Sequence, residues 1–354
     1  MQVLKLEWLR FRNLKEGTLV PDAGMNVICG ENAQGKTNLI EAIWLFSGAK
    51  SFRTNKDSSF VMQNSDSAKT KLHFFSEGIE KEAELQFFEK RKAFLNGKPL
   101  QNPSKLAGIF TAVVFSPTDL SLIKGVPEER RKFLDLAIGQ LYPNYIELLH
   151  RYKRALVQRN KILKDYKYDA SLSVLMDVFE QELSEVGSKI IEKRRQFLKE
   201  FEIYLPNLYE ELSAGREKLK FSYQSSVNLD KYSEQLRESR KEDSILGSTS
   251  IGPHRDDLNF TINGMSARAY GSQGQQRSVS LSLKLAQAEL IFQKTGEYPV
   301  CLLDDVMSEL DPLRQNYILN HIGKHQCFLT CCDPANISGL REGKIIRVQN
   351  GEVF

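Results

Sequence analysis

Long apolar runs are missing from this sequence: no stretch approaches the roughly 18 consecutive apolar residues that a membrane-spanning helix needs, so no span is expected. The opening residues, MQVLKLEWLRFRN, alternate polar and apolar and hold no apolar signal segment, which points to a cytoplasmic protein. Cysteine is scarce and odd in number: Cys29, Cys301, Cys327, Cys331 and Cys332, with no CxxC pair and no histidine-rich partner segment. A disulfide scaffold and a structural zinc are therefore not expected, and plain buried thiols in a reducing compartment are. A strong excess of one charge is also absent. The net charge of +4 permits a polyanionic partner without requiring one. No internal repeat is visible. Hydrophobic residues at 41% and charged residues at 27% exclude collagen-like and wholly disordered chains. A length of 354 residues suggests two domains, or one large domain carrying an insertion.

What is present has two textures. Residues 1–11 alternate as a half-buried strand does, and Val27-Ile28-Cys29 is a short apolar run that ends in glycine. A loop follows, then Thr37 to Phe46 with helical spacing. Residues 70–76, 82–89 and 92–95 read as strands, with Asn96-Gly97 as a hairpin turn, and Ala112–Phe115 reads as a buried strand stopped by Ser116-Pro117. From Pro127 to about residue 215 glycine nearly disappears and apolar residues recur at helical spacing. Turn signals there are Tyr142-Pro143-Asn144, the stretch Lys167–Ser171 and Pro206-Asn207. Residues 225–250, polar and serine-rich, read as a linker or surface segment. The α/β texture then returns, with Leu258–Ile262, a turn at Asn263-Gly264, a helix over 274–294 and strands at 299–303 and 326–330. The expected organisation is an α/β domain built from residues 1–124 and 251–354, with a helical lobe inserted at 125–250.

The segment Gly30-Glu31-Asn32-Ala33-Gln34-Gly35-Lys36-Thr37 matches G-x-x-x-x-G-K-[ST] in full, between a strand and a helix. Its glycines let the backbone wrap so that N–H groups face a phosphate. Lys36 would reach the β- and γ-phosphates, and the Thr37 hydroxyl would ligate Mg²⁺ at the positive end of the helix. Asn38 follows in that first turn. The second half of such a site is an apolar strand ending in acid, and Val300-Cys301-Leu302-Leu303-Asp304-Asp305 supplies it. Asp304 would hold the Mg²⁺, and Asp305 would orient or deprotonate the attacking water. The expected ligands are thus ATP and Mg²⁺.

Gly271-Ser272-Gln273-Gly274-Gln275-Gln276-Arg277, at a helix start about 30 residues before Asp304, resembles the signature motif of ABC-type ATPases. In that class the motif binds the γ-phosphate held by a second subunit, which here assigns Ser272, Gly274 and Gln275 to a site in trans. A polar helix cap is the plain alternative for these residues. Ser308-Glu309-Leu310-Asp311 is similar to the D-loop of the class through Ser308 and Asp311. Further segments narrow the resemblance: Phe11-Arg12-Asn13, Ser51-Phe52-Arg53, Val114 to Leu120, Gly125 to Asp135 and Gly252-Pro253-His254-Arg255-Asp256-Asp257. With these the chain resembles the RecF family of bacterial recombination mediators, relatives of the heads of SMC-type ATPases. The resemblance implies an ABC/SMC-head-type P-loop ATPase domain with an inserted all-helical lobe, and it adds Arg12 to the ATP contacts. It implies ATP-dependent homodimerisation and binding to double-stranded DNA and single-strand/duplex junctions. It also implies action with RecO and RecR to promote RecA loading in recombinational repair, replication restart and SOS induction.

Two departures from the general ABC pattern stand out. Asp305 occupies a position where most ABC ATPases have glutamate, and Phe328 to Asp333 contains no switch histidine, leaving Thr330 or Asp333 as substitutes. Both suit a weak, DNA-stimulated ATPase that acts as a slow timer. Residues 151–167 carry seven basic side chains against the single acid Asp165. Tyr152, Ala155, Leu156, Ile162, Leu163 and Tyr166 fall on one helical arc, and the basic residues apart from Arg159 on the other. A basic face of this kind tracks phosphates without reading bases; Lys153, Arg154, Arg194 and Arg195 are the candidate DNA contacts. His254 is expected to serve a structural hydrogen bond. The main rival, an SMC-like structural DNA clamp, would need long heptad arms, and no sustained heptads run through the helical block.

Overall fold

The computed structural model describes residues 1–54, 56–166, 170–323, 325–336 and 343–354. The described chain divides into two compact units. One comprises Met1–Asp119 with Leu281–Phe354, and the other is Leu120–Ser280. The second unit therefore starts near the expected residue 125 but ends thirty residues beyond the expected 250. The reason is strand pairing. Asp257–Ile262 pairs antiparallel with Leu219–Gln224, a strand the sequence reading missed, and with the short Met265–Ser266. That three-stranded sheet holds residues 257–266 with the helices.

The first unit contains two six-stranded sheets. In the antiparallel one the order is Leu14–Leu19, Gln2–Phe11, Ala68–Ser76, Ile79–Phe87, Arg91–Leu95, Lys98–Pro99. Alternating residues bury Leu6, Trp8, Leu72, Phe74, Leu85 and Phe87 on one face. The opposite face carries cross-strand ion pairs such as Lys69–Glu84 (2.8 Å) and Lys71–Glu82 (3.0 Å). The turn at Asn96-Gly97 has positive φ at both residues, as a tight two-residue hairpin requires.

In the second sheet the order is Glu352–Val353, Lys344–Gln349, Met25–Cys29, Cys327–Cys331, Val300–Leu303, Ala112–Phe115. All neighbours but the terminal hairpin are parallel. Strands of a parallel sheet are covered on both faces and read as continuous apolar runs; Ala112–Phe115, Val300–Leu303 and Cys327–Cys331 are buried throughout. Four of the five cysteines are buried in these strands, whereas Cys332 is exposed.

The helical part of the second unit comprises Pro127–Leu141, Pro143–Tyr166, Ser173–Phe201 and Leu205–Leu212. Pro206 does not break a helix as expected. It occupies the first turn of the last one, where its missing N–H is harmless. Of the turn expected at Lys167–Ser171, residues 167–169 lie outside the described residues, and Ala170–Leu172 form a single 3-10 turn. The segment 225–250, expected as a linker or surface segment, has a largely exposed surface but is packed structure rather than a linker. Tyr232–Glu238 and Arg240–Leu246 are helices, and Asp243 is wholly buried. The cause is Arg159, also wholly buried, whose guanidinium donates to Asp243 Oδ2 (2.6 Å), Glu180 Oε1 (3.1 Å), Thr249 Oγ1 (2.9 Å) and the Leu236 carbonyl (2.9 Å). A buried cation held by two carboxylates fixes the segment that supplies one of them.

His254 ties the same region together. Its Nε2 faces the Thr249 carbonyl at 3.0 Å, an atom that only accepts, so Nε2 carries the proton and Nδ1 accepts from the Tyr152 hydroxyl at 2.8 Å. Burial, aided by Arg255 and Arg131, pushes the imidazole down to about 4. The native ring therefore stays neutral while the unfolded chain takes up a proton below about pH 6.5. Stability is full above that value and falls as the pH drops toward about 4, by about 3 kcal/mol from this group. Urea unfolding at several pH values is expected to show this slope in the wild type and a flatter one in His254→Asn; equal slopes would remove His254 as the cause.

Candidate nucleotide site

Strand Met25–Cys29 delivers Gly30 at the carboxyl end of the parallel sheet, and helix Lys36–Trp44 leaves from Gly35. The loop between them needs left-handed backbone at Ala33 and Gly35. No side chain caps the helix, so its first amides remain available to an anion. Lys36 Nζ lies over the loop and donates to the carbonyls of Gly30 (2.5 Å) and Glu31 (2.9 Å). Glu31, Asn32 and Ala33 form the exposed rim of the loop.

The acid-ending strand meets this loop directly. Thr37 Oγ1 donates to Asp304 Oδ1 at 2.7 Å, and Thr330 Oγ1 reaches the same oxygen at 3.1 Å. Asp304 is buried, and burial raises its pKa against the opposing hydroxyls of Thr37 and Thr330. A hydroxyl and a carboxylate side by side are hard oxygen donors of the kind Mg²⁺ selects. Among the described residues no cluster of three His, Cys, Asp or Glu side chains could hold a metal ion. The pair therefore fits an ion that arrives with phosphate oxygens rather than one caged by protein.

Asp305 is exposed and has positive φ, 53°, a conformation that aspartate tolerates better than most residues. Its N–H donates to Thr330 Oγ1 (2.9 Å), and Ser308 Oγ donates to its carbonyl (2.9 Å) and lies 3.2 Å from its Oδ1. Thr330 thus joins the two acids from inside the sheet. Asp333, the other substitute considered for a switch histidine, is exposed and accepts from the Ala335 N–H. Asp311 caps helix Pro312–Ile322 through the Arg314 N–H and pairs with the Arg314 guanidinium.

Arg12 reaches the site indirectly. Its guanidinium is clamped by both oxygens of the wholly buried Glu41 (2.8 Å each) and lies over the Phe60 ring. Ser51 donates to the same carboxylate. Asn38, expected in the phosphate-binding turn, spends its side chain on Asn13 Oδ1 (2.7 Å) and accepts from Arg53 (2.7 Å). Glu41, Asn13 and Arg53 were not assigned roles from sequence. Glu41 sits on the helix that follows the loop, and a glutamate on its otherwise apolar inner face was the available signal. The C-terminal hairpin was also missed. The Asn350 N–H donates to Gln34 Oε1 (2.5 Å) and the Gly351 N–H to the Gln34 carbonyl (3.1 Å). A methyl group on Gly30 would lie 2.2 Å from the Val348 carbonyl.

In the other unit, Ser272 and Gln275 form a reciprocal cap. The Ser272 N–H donates to Gln275 Oε1 (2.7 Å) and the Gln275 N–H to Ser272 Oγ (3.2 Å). Gly274 lies between them and is partly exposed. Of the candidate DNA contacts, Lys153, Arg154 and Arg195 are exposed, on the face of their helices opposite the buried Tyr152, Ala155 and Phe197. Lys167 lies outside the described residues. Arg194 is a correction. It is 2% exposed, pairs with Asp135 (2.8 Å) and donates to the Pro253 carbonyl (2.7 Å), so it holds the fold and faces no solvent. Its neighbour differs because the helix turns about 100° per residue.

The description "RecF/RecN/SMC N terminal domain" fits residues 2–351. The chain is 39% identical to the DNA replication and repair protein RecF of Bacillus thuringiensis (strain Al Hakam), over all of this chain and 98% of that one. It superposes on a structure of the recombination mediator protein RecF with ATP, in the RecFOR pathway, with a TM-score of 0.93 and 35% identity, over 100% of this chain and 97% of that one. An Smc head domain from Pyrococcus yayanosii shares the fold, with a TM-score of 0.58 and 16% identity over 99% and 96% of the two chains.

Gly351 has φ +75°, and an added Cβ would stand 2.1 Å from the Asn13 carbonyl. Gly351→Ala is expected to displace the hairpin from Gln34 and to weaken nucleotide binding about ten-fold, as read by titration with a fluorescent ATP analogue. An unchanged affinity would show that the loop does not lean on the hairpin.

Proposed function

The chain belongs to the RecF family, within the wider RecF/RecN/SMC group, and from that membership we propose that it is an ATP-dependent DNA clamp that marks single-strand/duplex gap boundaries. The observation that carries this reading is the 2.7 Å contact between Thr37 and Asp304, with Asp305 beside it and Lys36 in the loop. Lys36 exchanges the Gly30 and Glu31 carbonyls for the β- and γ-phosphates of ATP. The backbone of residues 30–38 cradles the phosphates. Thr37 and Asp304 would hold Mg²⁺, which would supply charge neutralisation. Asp305, fixed by Thr330 and Ser308, orients the attacking water. Arg12, clamped on Glu41, adds its remaining edge to the nucleotide.

Ser272, Gly274 and Gln275 of a second copy meet the γ-phosphate, and Ser308 and Asp311 line the join. A site split between two surfaces makes ATP the link between copies, so binding shifts the population toward the dimer. The dimer presents Lys153, Arg154 and Arg195 to DNA phosphates. In the cytoplasm it acts with RecO and RecR to promote RecA loading, with hydrolysis as a slow, DNA-stimulated timer. The SMC-like structural clamp is the weaker reading. Among the described residues the longest helices are 24 and 29 residues, short for arms.

Light scattering of the wild type is expected to show a monomer that Mg-ATP converts to a dimer, with a turnover below about 10 s⁻¹. Ser272→Arg should bind nucleotide and remain monomeric. A wild type that stays monomeric with ATP yet binds a gapped duplex equally well would sink the split site. For DNA, Lys153→Ala and Arg154→Ala should each weaken binding at all sequences and reduce the salt slope by about one. A slope that neither variant moves would place the DNA elsewhere.

A further inference from the structure

Ser272 rests on a chain of side chains that the proposed reaction does not by itself require. Its partner in the cap, Gln275, donates from Nε2 to Glu217 Oε1 at 2.7 Å. The other oxygen of Glu217 accepts from the Tyr209 hydroxyl at 2.6 Å, and Tyr209 is wholly buried at the end of helix Leu205–Leu212. All four residues lie in the unit Leu120–Ser280.

The direction of these bonds matters. A carboxylate only accepts, so Glu217 forces the amide of Gln275 to turn its NH₂ outward and its oxygen toward the Ser272 N–H. A reversed amide would set donor against donor and open the cap. Tyr209 in turn fixes the carboxylate. With the amide in the observed sense, Ser272 Oγ accepts from the Gln275 N–H through a lone pair, and its own O–H is left for an anion at the helix N-terminus.

We propose that Glu217 is a positioning residue for the nucleotide site in trans: it sets the polarity of the Ser272–Gln275 cap so that the serine hydroxyl is presented to the γ-phosphate held by a second copy of this chain. The inference rests on the split-site reading above. It extends that site to two residues outside every motif, one on the buried face of a helix and one in the loop before strand Leu219–Gln224.

The test uses the full chain as wild type, Glu217→Ala, Glu217→Gln, Tyr209→Phe and Ser272→Arg. Three quantities are read: affinity of the monomer for a fluorescent ATP analogue, the monomer–dimer constant at saturating Mg-ATP by sedimentation, and Tm. Glu217→Ala is expected to weaken dimerisation about ten-fold, the size of a lost helix cap, with nucleotide affinity unmoved and Tm lowered by no more than the few degrees that one lost cap costs. Glu217→Gln should restore most of the loss, because its amide oxygen still accepts from Gln275. Tyr209→Phe should fall between wild type and Glu217→Ala, and it carries the test if Glu217→Ala does not fold. If Glu217→Ala dimerises as wild type does while Ser272→Arg cannot, the relay is refuted and the split site stands. A loss in Glu217→Ala that comes with a Tm drop of about ten degrees or more or with weakened nucleotide binding, or that Glu217→Gln fails to restore, makes Glu217 merely structural. If Ser272→Arg dimerises normally, the split site itself is wrong and the relay falls with it.

Discussion

The site depends on parallel strand register. Cys29 pairs with Cys331 and Leu303 with Leu329, so three strands far apart in sequence end at one edge of the sheet. Carboxyl ends of parallel strands are where ligands bind in α/β sheets, because loops and helix N-termini converge there. The register sets Thr37 against Asp304, 267 positions away, and places the Thr330 hydroxyl between Asp304 and Asp305. A shift of one residue in the strand ending at Leu303 or in the one ending at Cys331 would turn Asp304 or Thr330 to the opposite face. The loop chemistry is local, but its partner acids are delivered by this pairing alone.

The second unit depends on buried charge. Arg159 and Arg194 are each sunk among carboxylates, carbonyls and a hydroxyl, and each joins a long helix to the segment from Asp243 to Asp256. Removing one partner of such a group strands a buried charge, at about 3–5 kcal/mol. The Gly-Pro-His-Arg-Asp-Asp segment is thus an internal fastener: His254 meets Tyr152, Asp256 meets Tyr223 and the Ser226 N–H, and Asp257 meets Arg130. The family-specific look of that segment in the sequence has a packing explanation within its own unit.

These contacts also mark what was legible beforehand. The loop at residues 30–37, the strand ending at Asp304 and the helix start at Ser272 are each a short run with a recognisable local pattern, and sequence carried them as elements. Arg159 was set aside correctly because an amphipathic wheel of Pro143–Tyr166 puts it among apolar residues. The wheel was not applied to Arg194, whose place between Ile190 and Ile191 on one side and Phe197 and Leu198 on the other gives the same warning. Residues 225–250 were misread for a different reason. Most of their polar side chains do face water, but Asp243 and Thr249 face the buried Arg159, and composition cannot separate the two kinds. Glu41 left one local signal, a glutamate on an apolar helix face, but its partner Arg12, the Gln275 that Glu217 holds and the Gln34 that the hairpin at 344–354 holds lie 29, 58 and 316 positions away, beyond any local pattern.

The same geometry bears on why this ATPase would be slow under the proposed reading. Asp305 reaches its position through a left-handed backbone, anchored by Thr330 on one side and by Ser308 on the other. Its carboxylate is exposed, and aspartate is a methylene shorter than the glutamate common in ABC ATPases. A base that is short, solvated and tethered through the D-loop holds a water firmly only when that loop is itself held. In a split site the loop is held by the second copy. Under that reading hydrolysis would be conditional on the dimer it ends, and the placement of one serine and one aspartate would bear on the lifetime of the clamp.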